Sequence, residues 1–204
     1  MKKYLYWTGI LTPLLYIFTV VLGGALWPGY SHVRQAISEL SMSGAPNLAL
    51  MDGLFSFYGM LLLAFSIGFS LRWSKAENRP LTLSGIALAL CALAGLLMKF
   101  FRQDPISEPL TFTGTMHLIL AGVTSLGTIF AIFFAAAGFH KLPFGAGLRV
   151  FSLVMGFIVL VSGGLTAAGT TQLPAIFGIL ERTTIGAFML WLLVISVTLL
   201  RRDK

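Results

Sequence analysis

The chain has 204 residues, of which 57% are hydrophobic and only 10% are charged, and its mean hydropathy is +0.89. Soluble domains carry about 25% charged residues, so this composition excludes a soluble domain, a disordered chain and a coiled coil and indicates an integral membrane protein. The net charge of +7 does not indicate nucleic acid as a partner, because the basic residues lie mostly between the apolar runs, and a single cysteine, Cys91, excludes an intrachain disulfide.

Six apolar runs are long enough to cross a hydrocarbon core of about 30 Å as helices. In chain order they cover residues 5–27, 48–71, 81–100, 112–139, 150–169 and 184–200. The first run is too long for the apolar core of a signal peptide. The predicted fold class is therefore an all-α membrane protein, a six-transmembrane-helix bundle that forms one domain over residues 1–204.

The basic residues predict the orientation of this bundle, since cytoplasmic loops are enriched in Lys and Arg. Ten of them fall on the side of the two termini: Lys2, Lys3, Arg72, Lys75, Arg79, Lys141, Arg149, Arg201, Arg202 and Lys204. Only four fall on the other side: Arg34, Lys99, Arg102 and Arg182. We therefore expect both termini to be cytoplasmic. The acidic residues are distributed the opposite way, with Glu77 and Asp203 inside and five outside: Glu39, Asp52, Asp104, Glu108 and Glu181.

The first outer loop, 28–47, predicts a short amphipathic helix at the outer membrane interface. Ser31 is a suitable capping residue, Gly44 and Pro46 supply a stop, and apolar residues recur at helical spacing: Val33, Ile37 and Leu40. Two polar faces follow from the same spacing, one with His32, Gln35 and Glu39 and the next with Arg34, Ser38 and Ser41. This helix either only covers the bundle, or Glu39 and its neighbours roof a pocket between the helices.

The second outer loop and the start of the fourth span hold the next polar group. Arg102, Asp104 and Glu108 lie among prolines, which predict a turn in which carboxylates stay at the membrane surface. The loop is either a hydrated connector with an Arg–Asp pair or part of a site. His117 follows about a turn and a half into the fourth span, where an ionisable group usually faces the bundle interior. It either makes an interhelical hydrogen bond or belongs to a site.

The third outer loop, 170–183, ends in Glu181 and Arg182 at the mouth of the sixth span. Adjacent residues on a helix do not face each other, so we expect each of these two side chains to reach a different partner. Glu181 also suits the positive end of the helix dipole, so a capping role is the alternative to a role in a salt bridge or in headgroup binding.

Common chemical motifs are absent from the sequence. The chain has no Gly-rich phosphate loop, paired CxxC, HExxH or GxSxG, and no short spacing of metal ligands. We therefore predict neither a metal nor a cofactor.

Several segments resemble a known family when taken together. They are I-S-E-L-S-x-x-G-A-P at 37–46, the F-x-x-D turn at 101–104, His117 early in the fourth span, and Glu181-Arg182 before the sixth. Over nearly its whole length the chain resembles the six-span prokaryotic membrane proteins catalogued as Domain of Unknown Function 998 (DUF998), although Arg102 stands where that family often has Pro.

The first loop is also similar to the P-x-I-S-D-x-G pattern of DRAM-like eukaryotic membrane proteins, which are connected with lysosomes and lipid-anchor remodelling. Here Glu39 stands where that pattern has Asp. The DUF998 resemblance implies a six-helix bundle with an outward polar site, integral to a prokaryotic cytoplasmic membrane, and no established reaction.

The leading functional hypothesis is that an outward polar pocket binds a lipid headgroup or a similar amphiphilic small molecule. Arginines would hold its phosphate or carboxylate by charge-assisted bonds. The predicted ligand-binding residues are His32, Arg34, Arg102, Glu181 and Arg182.

A rival hypothesis is a lipid hydrolase or transferase with His117 as the general base, Asp104 or Glu39 orienting it, and Ser38 as a weak candidate nucleophile. A third is a structural or small-solute transport protein whose outer charges only pair with one another. The oligomeric state, including a homo-oligomer, stays open.

Overall fold

A computed structural model describes residues 3–105 and 108–202. Within these ranges the regular structure is helical and includes six long helices: α1 Lys3–Ala25, α2 Leu48–Lys75, α3 Arg79–Leu97, α4 Phe112–Phe139, α5 Gly145–Gln172 and α6 Phe177–Arg202. Each is long enough and apolar enough to cross a membrane. The predicted all-α six-helix fold is confirmed. Lys2, Asp203 and Lys204, which entered the orientation argument, lie outside the described residues.

The six helices form a ring. Each helix packs against its neighbours in the chain, and α1 packs against α6 to close the ring. Connections of very different length join them. Segments 26–47, 98–105, 108–111 and 173–176 lie on one end of the bundle, which we call the long-loop face, whereas 76–78 and 140–144 lie on the short-loop face. The residues predicted to form a site all belong to the long-loop face.

Two apolar clusters fill the ring. The larger one joins aromatic and aliphatic side chains of several helices, among them Tyr6, Phe65, Phe69, Phe139 and Trp191. The smaller one lies under the first loop and consists of Val20, Ile37, Leu40 and Met51. Large apolar side chains such as Trp7, Ile17 and Ile67 remain exposed along the outside of the helices. This exposure suits contact with lipid, because a bilayer removes the cost of exposing apolar surface to water.

The helices extend beyond several of the predicted spans. The largest difference is in α6, which begins at Phe177 instead of residue 184 after a 3-10 turn at Pro174–Ile176. Glu181 and Arg182 therefore lie one turn inside a helix and not in a loop. Both side chains form hydrogen bonds from these helical positions, as described below.

The amphipathic helix expected in the first loop is much shorter than predicted. Only Ser38–Ser41 form a 3-10 turn, and the preceding residues are turns and bends. Glu39 and Leu40 are buried instead of lying at an interface, while Val33 is 45% exposed. Side chains, and not successive backbone groups, satisfy much of this segment's hydrogen bonding. Gly44, predicted as a stop, has a left-handed φ of 84°, which glycine adopts without steric cost.

Candidate functional site

The first loop is fastened to α6 by an arginine. The Arg182 guanidinium donates from Nη1 to the carbonyl oxygen of Gln35 at 2.8 Å and to that of Gly178 at 3.0 Å, and from Nη2 to the hydroxyl of Tyr30 at 2.7 Å. Tyr30 in turn donates to the carbonyl oxygen of Ala36 at 2.6 Å. The charge therefore stabilises carbonyl groups that a loop without helical geometry would leave unpaired.

Two carboxylates take up the amide groups of the same loop. The buried Glu39 side chain accepts from the backbone N–H of Ala36 at 2.7 Å and from the side-chain amide of Gln35 at 2.9 Å. Glu181, on α6, accepts from the backbone N–H of Ile37 at 2.5 Å. We call Tyr30, Gln35, Glu39, Glu181 and Arg182 together the loop-1 dock. Glu181 and Arg182 do reach different partners, as their adjacency in a helix predicted.

A glycine lets the loop approach α6 this closely. A Cβ atom on Gly178 would lie 2.6 Å from the carbonyl oxygen of Gln35 and 2.7 Å from that of His32, which is too close for any other residue without a shift of the backbone. One backbone hydrogen bond also joins the two segments, from the N–H of Ile179 to the carbonyl oxygen of Val33 at 3.1 Å.

The electrostatics of the dock keep Tyr30 and His32 uncharged. Burial raises the pKa of the Tyr30 phenol to about 12 although Arg182 opposes this shift, so its hydroxyl stays protonated and can both donate and accept. Burial, followed by the charge of Arg182, lowers the pKa of the His32 imidazole below its ordinary value of 6.5. The His32 ring packs edge-on against Tyr30, with 5.2 Å between the ring centroids.

Two tyrosines lie close to the dock on α1 and α2. Tyr16 is near enough to Glu181 and Arg182 to feel both charges, and it packs against Tyr58 with 4.8 Å between the ring centroids. Both tyrosines are half-buried. Neither hydroxyl makes a hydrogen bond with any other group in the part of the chain that the structure describes.

A second group of polar residues surrounds the loop between α3 and α4. Arg102 pairs with Asp52 of α2 at 2.5 Å and not with the neighbouring Asp104, so the predicted Arg–Asp pair has a different partner. Asp104 instead accepts from the backbone N–H of Thr111 at 2.7 Å and from its hydroxyl at 2.9 Å. Thr111 caps α4 by accepting from the N–H of Gly114 at 3.2 Å.

His117 lies below this loop and is only 7% exposed. Its Nδ1 is 3.0 Å from the carbonyl oxygen of Phe101. Because a carbonyl oxygen can only accept, Nδ1 carries the proton and Nε2 of the neutral ring holds a lone pair. Nε2 has no hydrogen-bond partner among residues 3–105 and 108–202. We call Asp52, Arg102, Asp104, Thr111 and His117 together the loop-2 corner.

The predicted site residues thus divide into two groups. Glu39, Glu181 and Arg182 belong to the dock, with His32 beside it, and Arg102, Asp104 and His117 belong to the corner. Within the described residues the dock and the corner share no hydrogen bond or ion pair, although the N–H of Ser43 bonds the carbonyl oxygen of Gln103 at 3.3 Å between the two loops.

Two predicted residues, Arg34 and Ser38, belong to neither group. Arg34 is exposed and Ser38 is half-buried, and in the described ranges Ser38 makes no hydrogen bond to a histidine or a carboxylate.

No set of three His, Cys, Asp or Glu side chains in these ranges could hold a metal ion. A cavity of about 580 Å³ opens on the short-loop face, lined by Ser74, Glu77, Arg79, Thr82 and Leu83, none of which was predicted as a site residue.

Three residues that shape the long-loop face were not predicted to do so. Tyr30 and Gly178 lie in loop or helix-end positions where sequence alone shows no reason for them. Tyr16 carries a detectable signal, since a tyrosine in the middle of an apolar span is far from the interfacial belts where this residue is enriched.

Fold and site together define a polytopic membrane protein, a ring of six helices with the dock and the corner at the same end. A family model for proteins of unknown function, DUF998, matches residues 10–198, and the chain therefore belongs to the DUF998 family. The comparisons found no curated protein and no solved structure that matches the chain.

Proposed function

We propose that this protein binds the headgroup of a membrane lipid, or of a similar amphiphile, at the loop-2 corner. The observation that carries the proposal is His117, a nearly buried imidazole whose Nδ1 is held by Phe101 while Nε2 has no partner in the described structure. Nε2 is not among the fully buried side-chain atoms, so a ligand that donates a hydrogen bond can reach its lone pair.

The surroundings of His117 suit an amphiphile. The Asp52 and Arg102 side chains keep 19% and 31% of their surface exposed, so their ion pair is open to a polar headgroup. Three large apolar side chains of the same region are strongly exposed: Phe100 at 65%, Leu110 at 62% and Phe112 at 73%. Apolar surface beside an open ion pair is the combination that a molecule with a charged head and an acyl chain requires.

Mass spectrometry of lipids that copurify with the protein tests this proposal. We expect one lipid class to be enriched over a control membrane protein in the same detergent, and the enrichment to fall in His117→Gln and in Arg102→Gln. The matched control is His140→Gln, because His140 lies at the other end of α4, on the short-loop face. Equal lipid profiles for wild type and His117→Gln would exclude binding at the corner.

The proposal includes the orientation predicted from the basic residues, with the long-loop face outside a prokaryotic cytoplasmic membrane. Cys91, the chain's one cysteine, is buried, so single cysteines introduced on each face can report it. We expect a membrane-impermeant maleimide to label Ser43→Cys in intact cells, and Ser74→Cys only after lysis. The reverse pattern would invert the topology.

A lipid-ester hydrolase or transferase is the second candidate, favoured by the fixed tautomer of His117. A neutral imidazole with a positioned Nδ1–H and an available Nε2 is the form that a general base requires. The Phe101 carbonyl takes the orienting role proposed for Asp104 or Glu39. Incubation with a panel of lipid esters should yield products that His117→Ala abolishes, and turnover by His117→Ala would exclude this candidate.

A further inference from the structure

Two cavities lie end to end between α2 and α3. The cavity of about 580 Å³ on the short-loop face is lined by the turn between these helices and by the adjoining helix ends, and a second cavity of about 220 Å³ lies further along both helices. Ser70 lines the second cavity, and its hydroxyl donates to the carbonyl oxygen of Thr82, which lines the first, at 3.2 Å. The two cavities are therefore the outer and inner parts of one crevice, which runs from the short-loop face into the helix layer.

The inner part of this crevice is an apolar groove. Its floor is narrow, because a Cβ atom on Gly85 would lie 2.7 Å from the backbone nitrogen of Ser70, so glycine lets α3 approach α2 there. The hydroxyls of Ser66 and Ser70 already donate to carbonyl oxygens. The rims consist of large side chains that are 45% to 58% exposed: Ile67, Leu71, Ile86 and Leu90. A groove of this kind at membrane depth suits an acyl chain.

The outer part of the crevice carries two charges of opposite sign. Glu77 and Arg79 both line it and are exposed, and neither side chain forms an ion pair or a hydrogen bond within residues 3–105 and 108–202. They are two residues apart, so their Cα atoms are separated by at most about 7 Å. The cavity therefore holds a cation and an anion side by side that do not neutralise each other by direct contact.

The backbone of Glu77 is an independent sign that its side chain has a role. In the part of the chain that the structure describes, Glu77 is the one non-glycine residue with a left-handed φ, 54°. Its N–H bonds the carbonyl oxygen of Ser74 and the N–H of Asn78 bonds that of Trp73, the pattern that ends a helix at a left-handed residue. Glycine is usual at this position because a side chain is strained there. A carboxylate in its place lowers stability, which indicates a function other than folding.

We infer that the crevice binds a phospholipid whose headgroup carries a phosphate and a primary ammonium, as in phosphatidylethanolamine, from the leaflet on the short-loop side. One acyl chain lies in the groove. Arg79 pairs with the phosphate, which the N-terminus of α3 also favours, since Arg79 is the first residue of that helix. Glu77 accepts from the ammonium group. This inference goes beyond the proposed function, because it concerns the opposite end of the bundle and requires nothing to bind at the corner.

Charge and shape distinguish this occupant from others. An anionic lipid without an amine would leave Glu77 unpaired beside a phosphate of like charge. A quaternary ammonium cannot donate to Glu77, and no residue that lines the outer part in the described chain is aromatic, as such a group would favour. A second copy of the chain fits less well, because helices dock through small residues, whereas here Ile and Leu rims stand in front of the small ones.

Native mass spectrometry of the full-length protein in detergent tests the inference with three lipids of identical acyl chains. We expect phosphatidylethanolamine to bind about threefold more tightly than phosphatidylglycerol or phosphatidylcholine. Glu77→Gln should lower the affinity for phosphatidylethanolamine to that for phosphatidylglycerol, and Arg79→Gln should weaken the binding of all three lipids about fivefold. The control is Arg201→Gln, the same change at an exposed arginine of the short-loop face that does not line the crevice.

Two further variants separate binding from folding. Glu77→Gly places glycine at the left-handed position, so it should raise the melting temperature while the preference for phosphatidylethanolamine is lost. Ala89→Phe fills the groove and should weaken the binding of all three lipids about fivefold. Leu93→Phe introduces the same ring one turn further along α3, at an exposed position outside the groove, and should behave as wild type.

Several results would overturn the inference. They are equal affinities of the wild type for phosphatidylethanolamine and either other lipid, an unchanged preference in Glu77→Gln, and equal binding by Ala89→Phe and Leu93→Phe. A dimer that Ala89→Phe dissociates without any change in lipid binding would show that a second copy covers the groove. His117→Gln should bind phosphatidylethanolamine in the crevice as wild type does, so failure here and failure at the corner are distinguishable.

Discussion

The loop-1 dock and the loop-2 corner lie on the same face of the bundle but use their polar side chains in opposite ways. In the dock, α6 side chains bond groups 144 to 152 residues away in the chain, and nearly every bond goes to the backbone or side chains of the first loop. In the corner, Asp104 and His117 bond groups only 7 and 16 residues away. The dock holds two distant segments together, whereas the corner organises the second loop and joins it to α2 through the Arg102–Asp52 pair.

This contrast indicates which polar groups contribute to folding and which are available to a ligand. Polar groups that are already paired within the protein contribute to folding and are expensive to recruit for a ligand. That applies to the Nη1 and Nη2 groups of Arg182, which are bonded to the first loop and α6, whereas its buried Nε has no partner among the described residues. His117 in the corner, whose Nε2 is unpaired in the described structure, remains available. Most of the dock therefore contributes to the structure, and on this face the proposed binding site is confined to the corner.

The largest effect should come from breaking the dock at its arginine. Arg182→Met removes three hydrogen bonds and leaves two carboxylates without their nearest cation, which we expect to destabilise the protein by about 3 kcal/mol. Thermal unfolding in detergent measures this. Arg34→Met, the same change at an exposed arginine of the first loop, should lie within about 0.5 kcal/mol of wild type. Equal melting temperatures for the two variants would show that the dock does not stabilise the fold.

A smaller effect should follow when the loop is pushed away from α6. Gly178→Ala places a methyl group against the carbonyl oxygens of Gln35 and His32, and we expect a loss of about 1–3 kcal/mol. Hydrogen exchange should rise at the amides of Ala36 and Ile37. Gly186→Ala is the matched control on the same helix, because its added methyl meets open space, and it should be neutral or slightly stabilising. If hydrogen exchange at these amides does not rise in Gly178→Ala, the close packing of the first loop against α6 is contradicted.

The corresponding change in the corner should cost less. Asp52→Asn removes the charge that pairs with the partly exposed Arg102, and pairs of this kind contribute only about 0.2–1 kcal/mol. The melting temperature should therefore change little, while retention of the copurified lipid should change. A loss of stability as large as that of Arg182→Met would mean that the corner, too, is a structural fastening.

The smallest expected effect is on the loss of stability at acid pH. Because the pKa of His32 in the folded protein is below its ordinary value, the unfolded chain binds more protons between the two values, and stability falls as the pH drops below about 6.5. In His32→Gln the difference in melting temperature between pH 7.5 and about pH 5.5 should be smaller than in wild type. His140→Gln serves as the control. If the acid dependence of the melting temperature in His32→Gln equals that of wild type, the pKa shift of His32 does not contribute to it.

The amino-acid sequence by itself determined the number of helices and the face on which the candidate site residues lie. Runs of about 20 apolar residues have few alternatives to crossing a bilayer as helices, because an unpaired backbone is too costly in hydrocarbon. The start of α4 at Phe112 was predicted correctly for the same reason, since the apolar run after the prolines begins there. The basic residues also predict an orientation, which the maleimide experiment can decide.

Only the tertiary structure decided which polar groups meet. Arg102 pairs with Asp52, 50 residues away, and not with Asp104 in its own loop, because the packing of the helices brings α2 close to the second loop. The first loop shows the same dependence. Its apolar spacing fits a helix, yet Arg182, Glu39 and Glu181 bond its carbonyl and amide groups in turns, and a glycine on α6 admits the close approach. Sequence spacing describes neighbours along one element, whereas these partners come from different elements.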